Sequence, residues 1–515
     1  MTAKNNTTAD VLIEIGCEEL PAGELHQLID DFASSLGTEL DTAQLQFAKI
    51  SKYATPRRLA LIINQLQTRQ SDSQTTRRGP SLSAAYKDGD SKKPTPAAIG
   101  FAKSCGLEMK DLTTISTDKG EYLSATVTTK GSIINELLPT MLNKIFPKLP
   151  RSKTMHWDDS DMQFVRPVRW LLALIDTELL PWEIFGLQAS NKTFGHRFYT
   201  DAPITINSPD EYENVLLKKG YVIADIVKRK RTINKCIDLL VKDSDYSVSQ
   251  ALDEELLNEL AAITEYPVGY IGEFESDFLK LPSQVLESVL TLKQRYIPLI
   301  DKQGQMSSKF IFIANIDSKD KQLLIAGNQA VVRPRLADAT FFYQQDLARP
   351  LSSRLEQLKK LSFFSGLGSM KEKSACCTDL ARFLAKKDEW QDVAKSATLA
   401  AELCKCDLTS LMVQEFPELQ GIIGGYYLEE ELSQGTEYIS GYTAEDVHQA
   451  SQAIAEHYLP KRAGDAIAAS KAGKVLAIVE RMDKLIGLFH KGQKPGGEKD
   501  PYALRRTALG LARTI

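Results

Sequence analysis

The spacing of apolar residues changes part-way along this chain, and the change limits the folds open to it. In the first part, Leu59, Leu61 and Ile63 alternate with other residues, as do Leu123, Ala125 and Val127, and then Val168, Trp170, Leu172 and Leu174. A period of two is the pattern of a strand with one face buried. Leu25, Leu28, Ile29, Phe32 and Leu36 recur instead at helical spacing, after a short apolar run at 11–15. From about residue 326 the helical period takes over: Leu351, Leu355, Leu358 and Leu361 mark one helix, Leu380, Phe383 and Leu384 another, and 475–488 a third. The expected class is α+β multidomain, with a mixed α/β N-terminal half followed by an all-α domain. At roughly 150 residues per domain, the 515 residues divide into about three parts. They are drawn at 1–204, 205–325 and 326–515, the middle one holding a basic helix near 225–241 and a strand at 309–316. Residues 81–96 and 492–499 read as surface loops, rich in Gly, Ser, Lys, Asp and Pro. The last helix, from about Pro501, reaches Ile515 without a stop signal, so a truncated chain is expected.

Lys and Arg total 63 against 67 Asp and Glu, a formal net charge of −4. A nucleic-acid packaging protein would be strongly basic, so any RNA binding has to come from local patches. Cysteines stand at 17, 105, 236, 376, 377, 404 and 406. That odd count, without framework spacing, points to a reducing cytoplasm, and without a CxxC pair no zinc site is expected. The start has no signal-peptide core, and no apolar stretch approaches the roughly 20 residues that span a bilayer. There is no GxxxxGK[ST], no GxGxxG opening a helix, no HExxH and no GxSxG. With only six dispersed histidines as well, no catalytic residue and no metal ligand is assigned.

Several stretches run in the order of one known family. Residues 11–21 (VLIEIGCEELP) open the chain, followed by Thr55-Pro56-Arg57-Arg58-Leu59, Arg78-Gly79-Pro80 and residues 117–121 (TDKGE). Then come Phe164-Val165-Arg166-Pro167-Val168, Gly195-His196-Arg197-Phe198, residues 310–317 (FIFIANID), Gly327-Asn328, residues 332–339 (VRPRLADA) and residues 500–508 (DPYALRRTA). Each is short; together they make the whole chain resemble the β subunit of bacterial-type glycyl-tRNA synthetases. Two departures stand out. Met155-His156-Trp157-Asp158 takes the place of a more usual M-R-W-G, which removes an arginine, and the C-terminal anticodon-binding domain that the resemblance implies is expected to fall beyond Ile515.

The resemblance implies an accessory role. A partner α subunit would carry the catalytic core and use ATP and Mg, while this chain grips tRNA for glycine within an α2β2 assembly in the cytoplasm. DNA and membrane are not expected as partners. In keeping with that, the class I synthetase signatures and the arginine-bearing class II motifs are not found. The second half of the family is similar to the HD phosphohydrolase fold, whose His-Asp pair helps hold a divalent metal. The corresponding residues here are Cys406 and Asp407, with Asp483 as the later carboxylate. Two carboxylates without a histidine are too few ligands for such a site, so a degenerate helical scaffold is expected. The rivals are a metal-dependent HD-type phosphohydrolase and a purely structural partner of α.

For a tRNA ligand, arginine suits bidentate phosphate contacts. The candidates are Arg57, Arg58, Arg77, Arg78, Arg166, Arg169, Arg197, Arg333 and Arg335. The run 228–231 (KRKR) points around a whole helical cylinder and reads more simply as a solvated face. Arg166 and Arg333/Arg335 adjoin prolines that restrict the backbone; they serve equally well to tie domains together. Trp157, Trp170 and Tyr199 offer stacking faces, although alternation places Trp170 in line with Val168 and Leu172, in the core. Glu18 and Glu19 suit either a helix N-terminus or a basic partner.

Overall fold

The computed structural model describes residues 7–86, 93–118, 120–149, 153–157, 161–462, 464–497 and 499–515. Parts of four stretches read from the sequence therefore lie outside the described residues: 87–92 of the first loop, Lys119 and Asp158 of two motifs, and Glu498 of the second loop. The chain forms two compact units. One comprises Met1–Cys236, Leu257–Val268 and Ala314–Asp317; the other comprises Ile237–Leu256, Gly269–Ile313 and Ser318–Ile515.

The first unit is built on a five-stranded antiparallel sheet. Its strands are β1 (Thr8–Cys17), β2 (Lys49–Thr55), β3 (Arg58–Gln67), β7 (Val168–Ile175) and β8 (Glu178–Leu179), in the order β2-β3-β1-β7-β8. The helix Ala22–Thr42 covers one face with the leucines, isoleucine and phenylalanine read from the sequence, all buried. Val11, Ile13, Ile15, Leu59, Leu61 and Ile63 pack in that same cluster. On the other face Leu12, Ala60, Ile62, Leu172 and Leu174 meet Tyr212, Val215 and Leu216. Strands β3 and β7 are thus buried on both sides, not half-buried, because helices cover the sheet front and back. A separate three-stranded sheet holds β4 (Ser73–Ser81), β5 (Thr113–Thr117) and β6 (Gly120–Thr129), in the order β4-β6-β5.

The main sheet is irregular between β1 and β7. The two strands pair from Val11↔Ile175 to Gly16↔Trp170, and Cys17 then pairs with Val168. Arg169 is left without a cross-strand partner: it is the extra residue of a β-bulge, which re-aims side chains. Val168 accordingly faces the cluster of Leu171 and Ala173, while Leu172 faces the other. The in-line reading of Val168 with Leu172 is corrected by that bulge. Trp170 is buried as expected, and its ring lies against Gly16, where an added Cβ would fall 1.8 Å from it.

The second unit contains a four-stranded sheet that includes Met306–Ala314, and then helices. Lys321–Leu347 is a 27-residue helix with Pro334 inside it. Leu351, Leu355 and Leu358 sit not on an α-helix but on a 3-10 helix, Leu351–Lys360, whose three-residue turn suits the spacing of 355 and 358; Leu361 follows it in extended conformation. Met370–Leu384 forms as expected, yet its buried face is Lys373, Ser374, Cys377, Thr378 and Ala381, while Phe383 is exposed. Lys471–His490 forms over the third stretch, and the last helix is Leu504–Thr514. Among the described residues no helix is long and apolar enough to cross a membrane.

Candidate nucleic-acid interface

The TPRRL motif ends β2 and starts β3, with Pro56 and Arg57 in the turn and Arg58 the first residue of β3. Arg58 points inward and is fully buried. Its guanidinium donates to Thr55 Oγ1 at 3.2 Å, Thr193 Oγ1 at 3.2 Å, the Phe194 carbonyl at 2.8 Å and Glu265 Oε1 at 3.3 Å. Glu14 lies 3.8 Å away and itself accepts from Thr193 Oγ1 at 2.5 Å, the Trp170 indole N–H and the Tyr212 hydroxyl. Burial by itself disfavours the charge on Arg58, but Glu265 and Glu14 outweigh it and hold the guanidinium protonated. Burial likewise raises the Glu265 carboxyl, and Arg58 and the Thr55 hydroxyl reverse this, leaving it below its ordinary value. Arg58 is therefore no phosphate contact: a side chain this enclosed cannot reach a ligand, and this corrects its place among the candidates.

Arg57 is half-buried at the surface. It donates to the Gly195 carbonyl at 3.4 Å, and its guanidinium carbon stands 5.6 Å from the Trp170 ring centroid. Burial lowers its pKa, partly opposed by Glu265. Arg169, turned out by the bulge, and Arg197, in the GHRF stretch, lie on the same cavity of about 480 Å³, together with Glu18, Val168, Trp170, Leu187 and Phe194. Glu18 bridges the two arginines, at 3.3 Å from Arg169 and 2.7 Å from Arg197, and Glu19 is 3.0 Å from Arg197. The basic partner of Glu18 and Glu19 thus lies within the chain. Such exposed pairs are worth only about 0–1 kcal/mol each, so they orient the guanidinium groups while leaving them exchangeable for another anion. Beside Arg197, Phe198 is 72% exposed, an uncovered aromatic face that sequence spacing gave no means of singling out.

The remaining candidates lie elsewhere. Arg77 and Arg78 are on β4 of the small sheet, with Arg78 4.7 Å from the Tyr122 ring centroid. Arg166 donates to its neighbour, the Val165 carbonyl, at 2.8 Å. Arg333 and Arg335 are exposed on the Lys321–Leu347 helix of the second unit, and Arg333 pairs with Glu275 at 2.6 Å. Within the first unit, Arg57, Arg169 and Arg197 line the cavity, while Arg58, Arg77, Arg78 and Arg166 do not. In the KRKR run, Arg229 is fully buried. It donates to the carbonyls of Ala54, Ile223, Ala224 and Ala261, while Lys228 pairs with Glu213. Tyr199 stacks on Tyr221 at 4.6 Å, and Trp157 tilts against Phe185 at 5.7 Å; both rings have internal partners.

In the second unit, Cys406 and Asp407 are buried at the end of the Ala394–Leu403 helix and beyond. Burial pushes the Asp407 carboxyl up to about 6, and it accepts from the Gly421 N–H at 2.5 Å. Asp483 instead receives the Lys373 ammonium at 2.7 Å. Glu480 lies 3.5 Å from Lys373 and 3.4 Å from Lys405. Lys405 also reaches His457 Nε2 at 2.9 Å and Tyr458 OH at 2.8 Å. His457 Nδ1 faces the Ile454 carbonyl at 2.6 Å, which fixes the tautomer: Nδ1–H donates and Nε2 accepts from Lys405. Lys373 therefore provides the cation for Asp483, and Lys373 and Lys405 together those for Glu480. No group of three or more potential metal ligands occurs among the described residues.

Residues 11–515 match the profile of the family described as "Glycyl-tRNA synthetase beta subunit". The glycine–tRNA ligase beta subunit of Coxiella burnetii (strain RSA 493 / Nine Mile phase I) is 39% identical over 509 residues, which cover 99% of this chain and 71% of the relative. The beta subunit of Pseudoalteromonas translucida (strain TAC 125) is 40% identical over 516 residues, or 100% and 71%. That of Serratia proteamaculans (strain 568) is 40% identical over 509 residues, or 99% and 71%. This chain belongs to the glycyl-tRNA synthetase beta-subunit family. It spans about 71% of the length of these relatives. The family is one of aminoacyl-tRNA synthetase subunits, and the opening motif, TPRRL and GHRF quoted for it are the stretches that converge on Glu14, Arg58 and the arginine-lined cavity. The acidic partners of Arg58, Glu14 and Glu265, were not legible, since nothing local marks either carboxylate as half of a buried ion pair.

Proposed function

We propose that this chain works in the cytoplasm as the tRNA-handling β subunit of a glycyl-tRNA synthetase. In this reading it holds tRNA for glycine while a partner α subunit performs ATP- and Mg-dependent glycylation in an α2β2 assembly, and it carries no aminoacylation site of its own. The observation that supports the reading is the convergence of Arg57, Arg169 and Arg197 on one open cavity, with exposed Phe198 alongside. Guanidinium groups suit phosphate oxygens, and an uncovered ring suits an unstacked base. The chain's contribution to catalysis is positioning, which replaces an encounter in solution by a defined geometry. Arg77, Arg78, Arg166, Arg333 and Arg335 are proposed as secondary contacts. Residues 326–515 are proposed as a degenerate HD-like scaffold; there the Lys373 ammonium occupies Asp483, and Asp407 accepts from the Gly421 N–H.

The experiment compares the α subunit alone, with this chain, and with an Arg169→Ala/Arg197→Ala chain, measuring ATP–pyrophosphate exchange and glycylation of tRNA. We expect exchange with α alone, glycylation only when the β chain is added, and at least a tenfold loss in kcat/KM for tRNA with the double variant. Glycylation that is indifferent to the β chain would sink the reading.

A further inference from the structure

The second unit has a cavity of about 320 Å³ whose rim is cationic, at the lower end of the roughly 300–1,000 Å³ of small-ligand pockets. Three elements supply the charges: Lys461 from the segment after the Ala444–Glu456 helix, Lys484 from the Lys471–His490 helix, and Arg506 from the Leu504–Thr514 helix. None of the three side chains makes an ion pair or hydrogen bond among the described residues, whereas most other basic side chains discussed above have a carboxylate or carbonyl partner. Arg481, also in the wall, is occupied: it donates to the carbonyls of His457, Tyr458 and Leu459.

The acidic residues of the wall do not balance this charge. Glu480 already faces the Lys373 and Lys405 ammonium groups, and Glu418 accepts from the Ser288 hydroxyl. Two lysines behind Glu480 and three unpartnered cations in front of it leave the cavity with excess positive charge. Burial lowers the pKa of both Lys461 and Lys484; Asp465 and Glu418 oppose it at Lys461 and Glu480 opposes it at Lys484, where Lys373, Arg506 and Lys405 add to the lowering. A multiply charged oxyanion would relieve the repulsion, and three long basic side chains from separate elements can close on its oxygens.

We propose that this cavity is a phosphate site, in which Lys461, Lys484 and Arg506 hold a phosphate group of an RNA strand or of a free nucleotide. Arg506 belongs to the DPYALRRTA stretch, and the site gives that stretch a role that the arginines of the first unit do not. The proposal stands on the second unit alone, so it survives or fails independently of the tRNA reading of Arg57, Arg169 and Arg197.

The test uses the full 515-residue chain, with AMP followed by calorimetry and a labelled single-stranded RNA octamer lacking terminal phosphates followed by anisotropy. Lys484→Met and Arg506→Ala are expected to weaken at least one probe tenfold or more, and Arg506→Lys to recover part of the loss. Dependence confined to AMP identifies a free nucleotide, dependence confined to the octamer identifies RNA backbone, and either supports the site. Acetylation of the lysines in the unsubstituted chain, read by mass spectrometry, gives a second measurement free of folding effects. There the bound probe should slow modification of Lys461 and Lys484. If neither probe depends on these residues and neither lysine is protected, the proposal is overturned.

Discussion

Replacing Arg58 by methionine would keep most of its volume but leave Glu14 and Glu265 buried without their cation. Removing one partner of a buried pair typically costs about 3–5 kcal/mol, and we expect Arg58→Met to lose stability on that scale in urea unfolding followed by tryptophan fluorescence. The adjacent Arg57, half-buried and donating to one carbonyl, should tolerate alanine with a loss of about 1 kcal/mol or less. Glu265→Gln tests the same network through pH. The folded carboxyl is held below its ordinary value of 4.5, so the unfolded chain takes up its proton first as pH falls. Its stabilising contribution is present in full above pH 4.5 and is lost as pH drops through the lower, folded value. The stability gap between Glu265→Gln and the unsubstituted chain should therefore be widest near neutral pH and narrow below pH 4.5. A gap that widened on acidification would mean that the pair is not ionised in the fold.

At the scale of elements, the position of β1, β3, β7 and the Ala22–Thr42 helix was readable, because each carries an apolar stretch of its own, although alternation did not show that β3 and β7 are buried on both faces. What the period could not give was the bulge. Arg169 interrupts the alternation by one residue, and only the register against β1 shows that Val168 and Leu172 face opposite sides. The Met370–Leu384 helix failed in a different way. Its apolar residues Leu380 and Phe383 suggested the buried face, yet the buried side carries Lys373, whose desolvation is offset by Asp483 and Glu480 from a helix about 110 residues away. The bulge also makes a testable demand on β1: the Trp170 ring needs the bare backbone of Gly16, since an alanine Cβ would sit 1.8 Å from the ring. Gly16→Ala should cost about 1–3 kcal/mol by overpacking and shift the tryptophan emission. It should also weaken RNA binding, because Trp170 forms part of the arginine-lined cavity. Unchanged emission with unchanged stability would show that β1 and β7 have slack which the geometry denies.

Across the whole molecule, the net charge of −4 provides no general attraction for RNA, so affinity has to come from guanidinium groups gathered in one place. Glu18 and Arg197 are 179 residues apart in sequence, and it is the five-stranded sheet that brings them, with Arg57 and Arg169, to one cavity. That is why the sequence could nominate nine arginines but not choose among them: the grouping is a property of the fold, not of any local run. The grouping has a consequence in salt. Each phosphate neutralised releases condensed counterions, and the logarithm of affinity falls with the logarithm of salt by about 0.7–0.9 per contact. If Arg169 and Arg197 each engage one phosphate, the double alanine variant should bind tRNA more weakly and show a salt slope shallower by about 1.4–1.8. Arg58→Met, compared under conditions where it stays folded, should leave the slope unchanged, since its charge is enclosed between two carboxylates. A slope altered by Arg58→Met and untouched by the surface pair would transfer the RNA contact away from this cavity.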